Sequence, residues 1–143
     1  MPELNDDFID YLQAVTIPLD MGGRIDSIFD FYTRVYPKEE IKDIFVSDFI
    51  DKENERRYES LWLFSDNYII EARELLIKDN FHINITPYKN RITHLNIIGN
   101  ATSLIALEFK TDTQNSCTLK GAGRNSRYLK DIFEKYIKPN LKV

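Results

Sequence analysis

Five basic residues in the second half of the chain have side chains that can bind anions: Lys89, Arg91, Lys120, Arg124 and Arg127. Residues 1–60 carry a net charge of -8 and residues 61–143 a net charge of +4, so a basic face could meet phosphate or lipid headgroups. Alternatively, the acidic half lies against the basic half within one molecule. We favour this second interpretation because the whole chain has a net charge of -4, and we expect no nucleic-acid partner.

Two loops contain basic residues that could bind an anion. The segment Lys120–Ser126 (KGAGRNS) has two glycines and a base before a predicted helix, but it lacks the third glycine and the Gly-Lys-Ser/Thr ending of nucleotide-binding loops. A sharp turn from strand to helix explains these glycines better. The loop with Lys52, Arg56 and Arg57 has a net charge of -1 over residues 51–59, which disfavours a polyphosphate ligand.

Residue types with catalytic chemistry are sparse. His82 and His94 lie on separate predicted strands without the spacing of a metal pair, and Cys117 is the single cysteine with no histidine next to it. We therefore predict no catalytic residues, no metal site and no cofactor, and we leave a small hydrolytic enzyme only as a disfavoured alternative. A single cysteine excludes an internal disulfide and favours a reducing compartment.

These residues are positioned by a run of short β-rich segments separated by turn residues. The predicted strands are Ile44–Ile50, Ser60–Phe64, Tyr68–Arg73, Phe81–Thr86, Arg91–Ile98, Leu104–Lys110 and Ser116–Lys120. Residues 41–49 also fit a helix, but a strand from Ile44 is favoured. In the fourth strand, Phe81, Ile83 and Ile85 alternate with polar residues, which predicts a sheet with one face in water.

Helices are predicted at both ends of the chain. One runs from Asp6 to Val15 and a second from Arg24 to Tyr36, where Pro37 ends it. The last helix follows a cap at Asn125 or Ser126, ends at Pro139, and has a stripe of apolar residues: Leu129, Ile132, Phe133, Tyr136 and Ile137. The chain is predicted to be one domain over residues 1–143, with a helical arm over 1–40 and the strands and last helix over 41–143.

Two segments carry a resemblance to a known family. Ser60–Ile70 (SLWLFSDNYII) and Ile85–Leu95 (ITPYKNRITHL) resemble hairpin segments of bacterial pleckstrin-homology-like proteins. The order of seven antiparallel strands and one C-terminal helix is similar to theirs over about residues 44–140. The resemblance implies an α+β fold, in which an antiparallel barrel or strongly bent sheet is closed at one end by the C-terminal helix, with two N-terminal helices packed beside it.

The functional expectation is a non-catalytic module that binds a protein or peptide by adding a strand at a sheet edge. The alternative is binding of anionic lipid headgroups by the five basic residues. A homo-oligomer stays open, since Phe8, Tyr11 and Leu12 could form an exposed anchor. The 18 Ile, 11 Lys and 11 Asn suggest an AT-rich bacterial genome. With no basic leader before Arg24 and no apolar span, we expect a cytoplasmic protein without a transmembrane segment.

Overall fold

The computed structural model describes residues 30–50, 56–73, 82–121 and 125–142 of the chain. It contains seven strands followed by a C-terminal helix. The strands are β1 (Asp43–Ile50), β2 (Arg56–Phe64), β3 (Tyr68–Arg73), β4 (His82–Pro87), β5 (Ile92–Gly99), β6 (Leu104–Thr111) and β7 (Ser116–Lys120). Every predicted strand is present.

The strands form two antiparallel sheets. The first sheet has the order β1-β2-β3-β4 and the second sheet has the order β5-β6-β7. The chain leaves the first sheet at Pro87, which has no backbone N–H to donate to a ladder. It then turns through Asn90, whose positive φ of 57° is one that asparagine tolerates better than most residues.

The first sheet is buried on both faces at β1 and β2, which explains why β2 reads as a continuous apolar run, whereas His82 and Asn84 of β4 are exposed. Its outer face packs with Tyr32 and Ile41 in an outer cluster that includes Ile44, Val46, Leu61, Leu63 and Ile70. Its inner face packs against the second sheet and the C-terminal helix in an intersheet cluster that includes Phe45, Trp62, Phe64, Leu107, Phe109 and Leu129. The second sheet keeps its other face in water, where His94, Lys110 and Thr118 are exposed.

The C-terminal helix lies against both sheets. Its α-helical part is Asn125–Ile132, followed by a π-helical turn at Phe133–Ile137 and a 3₁₀ turn at Lys138–Asn140 that contains Pro139. Leu129, Ile132 and Ile137 are buried, as their spacing predicts. At the far end, the Lys142 N–H donates to the Ile92 carbonyl at 2.7 Å, and Leu141 forms a parallel bridge with Ile92.

The two predicted capping residues have another role. Asn125 and Ser126 lie within the helix, where the Asn125 side-chain amide donates to the Val46 carbonyl at 2.8 Å and the Ser126 hydroxyl donates to the Leu104 carbonyl at 2.8 Å. Hydrogen bonds from these two side chains therefore connect the helix to one strand of each sheet.

The prediction of a closed barrel needs correction. Among the described residues the strands form two separate sheets, and β1 meets β7 without a ladder of paired strands. The β1–β2 register shifts between Ser47 and Asp48, and the Ser47 hydroxyl accepts the Lys120 N–H at 2.9 Å. We call this contact, together with the Asn125–Val46 bond, the seam. At the seam, side chains form hydrogen bonds with backbone groups that strand pairing would otherwise satisfy.

The α+β class, the antiparallel sheets and the C-terminal helix are confirmed. The first predicted helix, over residues 6–15, and the candidate anchor with Phe8, Tyr11 and Leu12 lie outside the described residues. Of the second predicted helix only residues 30–36 are described, and 30–35 are helical. The ambiguous segment over residues 41–49 is a strand from Asp43 onward.

Candidate functional site

The four basic candidates that the structure describes lie at two ends of the second sheet. Lys89 and Arg91 occupy the turn between β4 and β5, where they line an open depression of about 330 Å³ with Asn67, Tyr68 and Asn90. The Arg91 guanidinium lies 3.9 Å from the Asp112 carboxylate, so part of its charge is compensated within the chain.

The other candidates are far from this depression. Lys120 pairs with Ala106 in the ladder, whereas Arg91 lies beside Asp112, and six residues of extended chain separate those positions by about 20 Å. Arg127 is exposed on the C-terminal helix near the Lys120 end, and Arg124 lies outside the described residues. The structure therefore does not gather the described candidates into one basic cluster.

The glycine turn has a packing explanation at its described position. A Cβ on Gly121 would come within 2.9 Å of the Asn125 carbonyl oxygen, so only glycine lets β7 run this close to the start of the helix. Gly123 and Arg124 lie outside the described residues. In the first hairpin, Lys52 lies outside them as well, and Arg56 and Arg57 begin β2.

Histidine and cysteine do not form a reactive group. His82 is exposed on β4 of the first sheet, His94 is exposed on β5 of the second sheet, and Cys117 is buried on β7. Within the part of the chain that the structure describes, no group of three or more potential metal ligands is present. The helices described there include none long and apolar enough to cross a membrane.

Three tyrosines have partly or fully buried side chains, and the hydroxyls of two of them donate hydrogen bonds to distant segments of the chain. The Tyr88 hydroxyl donates to the Ser65 carbonyl at 2.7 Å, and the Tyr136 hydroxyl donates to the Asp43 carboxylate at 3.3 Å. Desolvation raises the pKa of both Tyr88 and Tyr136 well above the usual value for a phenol, and burial also raises the pKa of Asp43.

The third phenol belongs to Tyr32 in the outer cluster. Burial raises its pKa; the neighbouring Ser65 side chain lowers it in part without forming a well-aligned hydrogen bond. Phenols with raised pKa values stay protonated at neutral pH, so these three groups serve as structural donors or packing surfaces.

A cleft opens between the two sheets beside Trp62; we call it the intersheet cleft. It has a volume of about 220 Å³ and polar walls supplied by β3, β4 and the β6–β7 turn: Glu71, Asn84, Thr86, Gln114, Asn115 and Ser116. Trp62, Glu71 and Asn84 pair across β2, β3 and β4, which places all three on the same face of the first sheet.

Trp62 is the most unusual residue of the intersheet cleft. Its side chain is 1% exposed, yet its indole N–H has no hydrogen-bond partner among the described residues. A buried donor without an acceptor is costly, and buried tryptophan N–H groups usually find a partner. The Trp62 N–H is therefore an exception to the usual pairing of buried donors.

The Trp62 ring is packed in the core, as expected for a residue in an apolar strand, and its unpartnered N–H is the feature that the sequence analysis did not identify. A usable signal was the alternation in β4. Its apolar residues Ile83 and Ile85 pack on the outer cluster, so the polar partners Asn84 and Thr86 must face the second sheet.

A second surface lies at the edge of the second sheet; we call it the β5 groove. It runs between the β5–β6 hairpin and the C-terminal helix, has a volume of about 450 Å³, and is lined by Ile97, residues 99–104, Lys130, Phe133 and Glu134. Ile97 and Ile98 of β5 are 54% and 46% exposed, and Ile105 of β6 is 42% exposed. Beyond the bridge from Leu141 to Ile92, no described strand pairs with the free edge of β5.

Comparison with protein-family models and with curated proteins gave no match. Among solved structures, the chain is similar to the C-terminal domain of an unknown protein from Leishmania infantum, with a TM-score of 0.50 and 10% sequence identity. The match covers 79% of this chain and 98% of that domain. At this identity the likeness concerns the fold alone.

Proposed function

We propose that the chain is a non-catalytic interaction module with a pleckstrin-homology-like fold, and that it binds an extended peptide along the free edge of β5. The fold part of the proposal is supported by the division into four and three consecutive antiparallel strands with a helix packed across the inner faces. A bacterial and cytoplasmic setting stays a prediction from the sequence.

The observation that carries the binding proposal is the pair of exposed isoleucines on an edge strand. Long edge strands usually carry charge or proline that prevents pairing with another chain. The edge strand β5 has Ile97 and Ile98 at its open end and no charged residue between Ile92 and Gly99. Such an edge is suited to strand addition.

The extended conformation of the bound peptide is inferred from a contact within the chain. Leu141 already pairs with Ile92 in parallel at the start of this edge, so the edge accepts an extended segment there. At the other end of β5, Ile97 and Gly99 line the β5 groove, in which Ile97 and Phe133 offer apolar contacts and Lys130 and Glu134 offer one charge of each sign. A peptide with apolar side chains at alternate positions fits these walls.

The test is a selection of displayed random peptides on the wild-type protein and on the variant I97K/I98K. We expect enriched peptides to be extended and apolar at alternate positions, and to lose at least ten-fold in affinity for the variant because lysine on an edge opposes pairing. The control is Thr118→Lys, which places one lysine on an exposed position of β7 opposite Glu108 and should leave affinity unchanged.

Hydrogen exchange gives a second measurement. The outward amides of β5 should exchange rapidly in the free protein and become protected when a selected peptide is bound. Protection of the whole β5 edge in a monomer without peptide would contradict the proposal. A wild-type dimer that I97K/I98K converts to a monomer would also contradict it, because a second copy would then occupy the edge.

Binding of anionic headgroups is the second candidate, and the depression beside Lys89 and Arg91 is the observation that favours it. Co-sedimentation with vesicles of phosphatidylserine and phosphatidylcholine at low salt tests it. We expect binding that weakens with salt and is lost in K89E/R91E. The control Lys110→Glu changes an exposed base on the outer face of the second sheet. No sedimentation of the wild-type protein would contradict this candidate.

A further inference from the structure

We propose that the peptide bound in the β5 groove carries an aspartate or glutamate beside its apolar residues, and that Lys130 selects this acidic side chain. The inference rests on the proposed function, since it assigns a partner class to the same site. Two charged residues line the groove, Lys130 and Glu134, and its other walls come from Phe133 and uncharged residues of the β5–β6 hairpin. The partners of those two charges therefore decide which charge a peptide should carry.

The C-terminal helix places Lys130 near the hairpin. In the first turn of the helix, the Ser126 hydroxyl donates to the Leu104 carbonyl at 2.8 Å, which holds that turn beside the start of β6. Lys130 and Glu134 follow Ser126 at intervals of four residues, so the three residues lie along one side of the helix. One helical turn, about 6 Å along the axis, separates Lys130 from Ser126, so Lys130 lies nearer the hairpin than Glu134 does.

The two wall charges differ in their partners. The Glu134 carboxylate lies 3.5 Å from the Lys138 ammonium group, one turn further along the helix. The Lys130 side chain is exposed and forms no ion pair or hydrogen bond with another described residue. An exposed ion pair adds little stability, but Lys138 reduces the electrostatic effect of the Glu134 carboxylate. Lys130 is therefore the uncompensated charge of the β5 groove.

The surroundings of the groove do not supply an acid for Lys130. From Ile92 to Leu107 the sequence contains no aspartate, glutamate, lysine or arginine. Residues 125–142 of the C-terminal segment carry five basic and two acidic residues, a net charge of +3. An acidic group on a bound peptide would thus be attracted to the helix side of the groove, and a basic group would be repelled.

The same sequence favours a foreign peptide over a second copy of this chain. Pairing between two β5 edges would bring another uncharged strand to the groove, and that strand would offer no acid to Lys130. An extended peptide with apolar residues at alternate positions and one carboxylate matches Ile97, Phe133 and Lys130 together.

The first test uses peptides selected on the wild-type protein and synthesised with free and with amidated C-termini. We expect the enriched sequences to share an aspartate or glutamate. Its replacement by asparagine or glutamine should weaken binding about ten-fold at low salt and less at high salt, whereas amidation should change affinity less than about two-fold. Loss of binding on amidation alone would overturn the inference, because the terminal carboxylate would then be the recognised group.

Charge reversal locates the contact. Lys130→Glu should weaken binding of the acidic peptide about ten-fold, and a peptide with lysine in place of its acid should bind this variant more tightly than it binds the wild type. The control Lys110→Glu makes the same change in net charge on the outer face of the second sheet, and it should change affinity less than about two-fold.

Two kinds of failure are distinguishable. Enriched peptides that lack an acid, or that lose equal affinity for Lys130→Glu and Lys110→Glu, would overturn the role of Lys130 and leave peptide binding in place. Failure to enrich any peptide on the wild-type protein, or equal affinity for the wild type and I97K/I98K, would contradict the proposed function itself, and this inference would fail with it.

Discussion

The seam between β1 and β7 and the intersheet cleft both bury polar groups, but the hydrogen bonding of these groups differs. At the seam, the Asn125 amide and the Ser47 hydroxyl each bond to a backbone group of another element. At the cleft, the buried Trp62 N–H has no partner among the described residues. The difference teaches that hydrogen bonds from polar side chains connect separate elements at the seam, whereas the Trp62 N–H makes no such connection. Four substitutions test this contrast.

The largest effect is expected at the centre of the seam. Asn125→Ala removes the donor to the Val46 carbonyl and leaves that acceptor buried, so the free energy of unfolding should fall by about 2–3 kcal/mol. Urea denaturation followed by circular dichroism measures the change. A loss below 0.5 kcal/mol would show that the seam does not depend on this bond.

Tyr88→Phe tests another buried donor that has a partner. It removes the bond to the Ser65 carbonyl and should lower the free energy of unfolding by about 1–2 kcal/mol at neutral pH. The loss in the free energy of unfolding should be compared with that of Tyr128→Phe. Tyr128 is a half-buried tyrosine of the C-terminal helix.

The same variant also has a pH signature. Burial raises the pKa of the folded-state Tyr88 phenol, so the unfolded chain releases this proton first as pH rises above 10, and stability is lost there. Tyr88→Phe removes this contribution, so its stability should fall less steeply than that of the wild type above pH 10. Equal slopes in thermal unfolding between pH 9 and pH 11 would contradict the assignment.

Ser47→Ala is expected to have a smaller effect at the seam. The Lys120 N–H loses its acceptor at the end of β7, and the free energy of unfolding should fall by about 1 kcal/mol. Faster hydrogen exchange of the Lys120 amide, with unchanged exchange in the middle of β6, would locate the effect. An unchanged exchange rate of the Lys120 amide would mean that another group accepts its hydrogen bond.

The smallest effect is expected in the cleft. Thr86→Val replaces a hydroxyl that lines the cleft with a methyl group of similar size, and stability should change by less than about 0.5 kcal/mol. The thermal midpoint should therefore move little or rise slightly. A loss as large as that of Asn125→Ala would remove the contrast between cleft and seam.

Most of the fold could be predicted from the sequence because its signals are local. Turn residues such as Ser65, Asp66 and Asn67 mark where strands end, and the spacing of Leu129, Ile132 and Ile137 marks the buried side of the helix. The bounds of β3 and β7 agree with the prediction residue for residue.

What could not be predicted depends on how distant elements meet. The basic candidates have the same charge and lie in the same region of the sequence, but the length of a β-strand separates Lys120 from Arg91 by about 20 Å. The alternation of apolar and polar residues in β4 predicts one solvated face of the strand, but it does not distinguish a face in bulk water from a face that lines a cleft. The unpartnered N–H of Trp62 depends on what lies across from β2, which no local pattern contains.

The anchoring of the C-terminal helix also has a consequence for synthesis of the protein. Asn125 reaches a partner 79 positions earlier and Tyr136 one 93 positions earlier. Before residues 125–142 have been synthesised, the inner faces of both sheets lack their cover, and contacts of such sequence separation form slowly. The two sheets can complete their fold only when this segment is available, and until then the intersheet surface is open to chaperones.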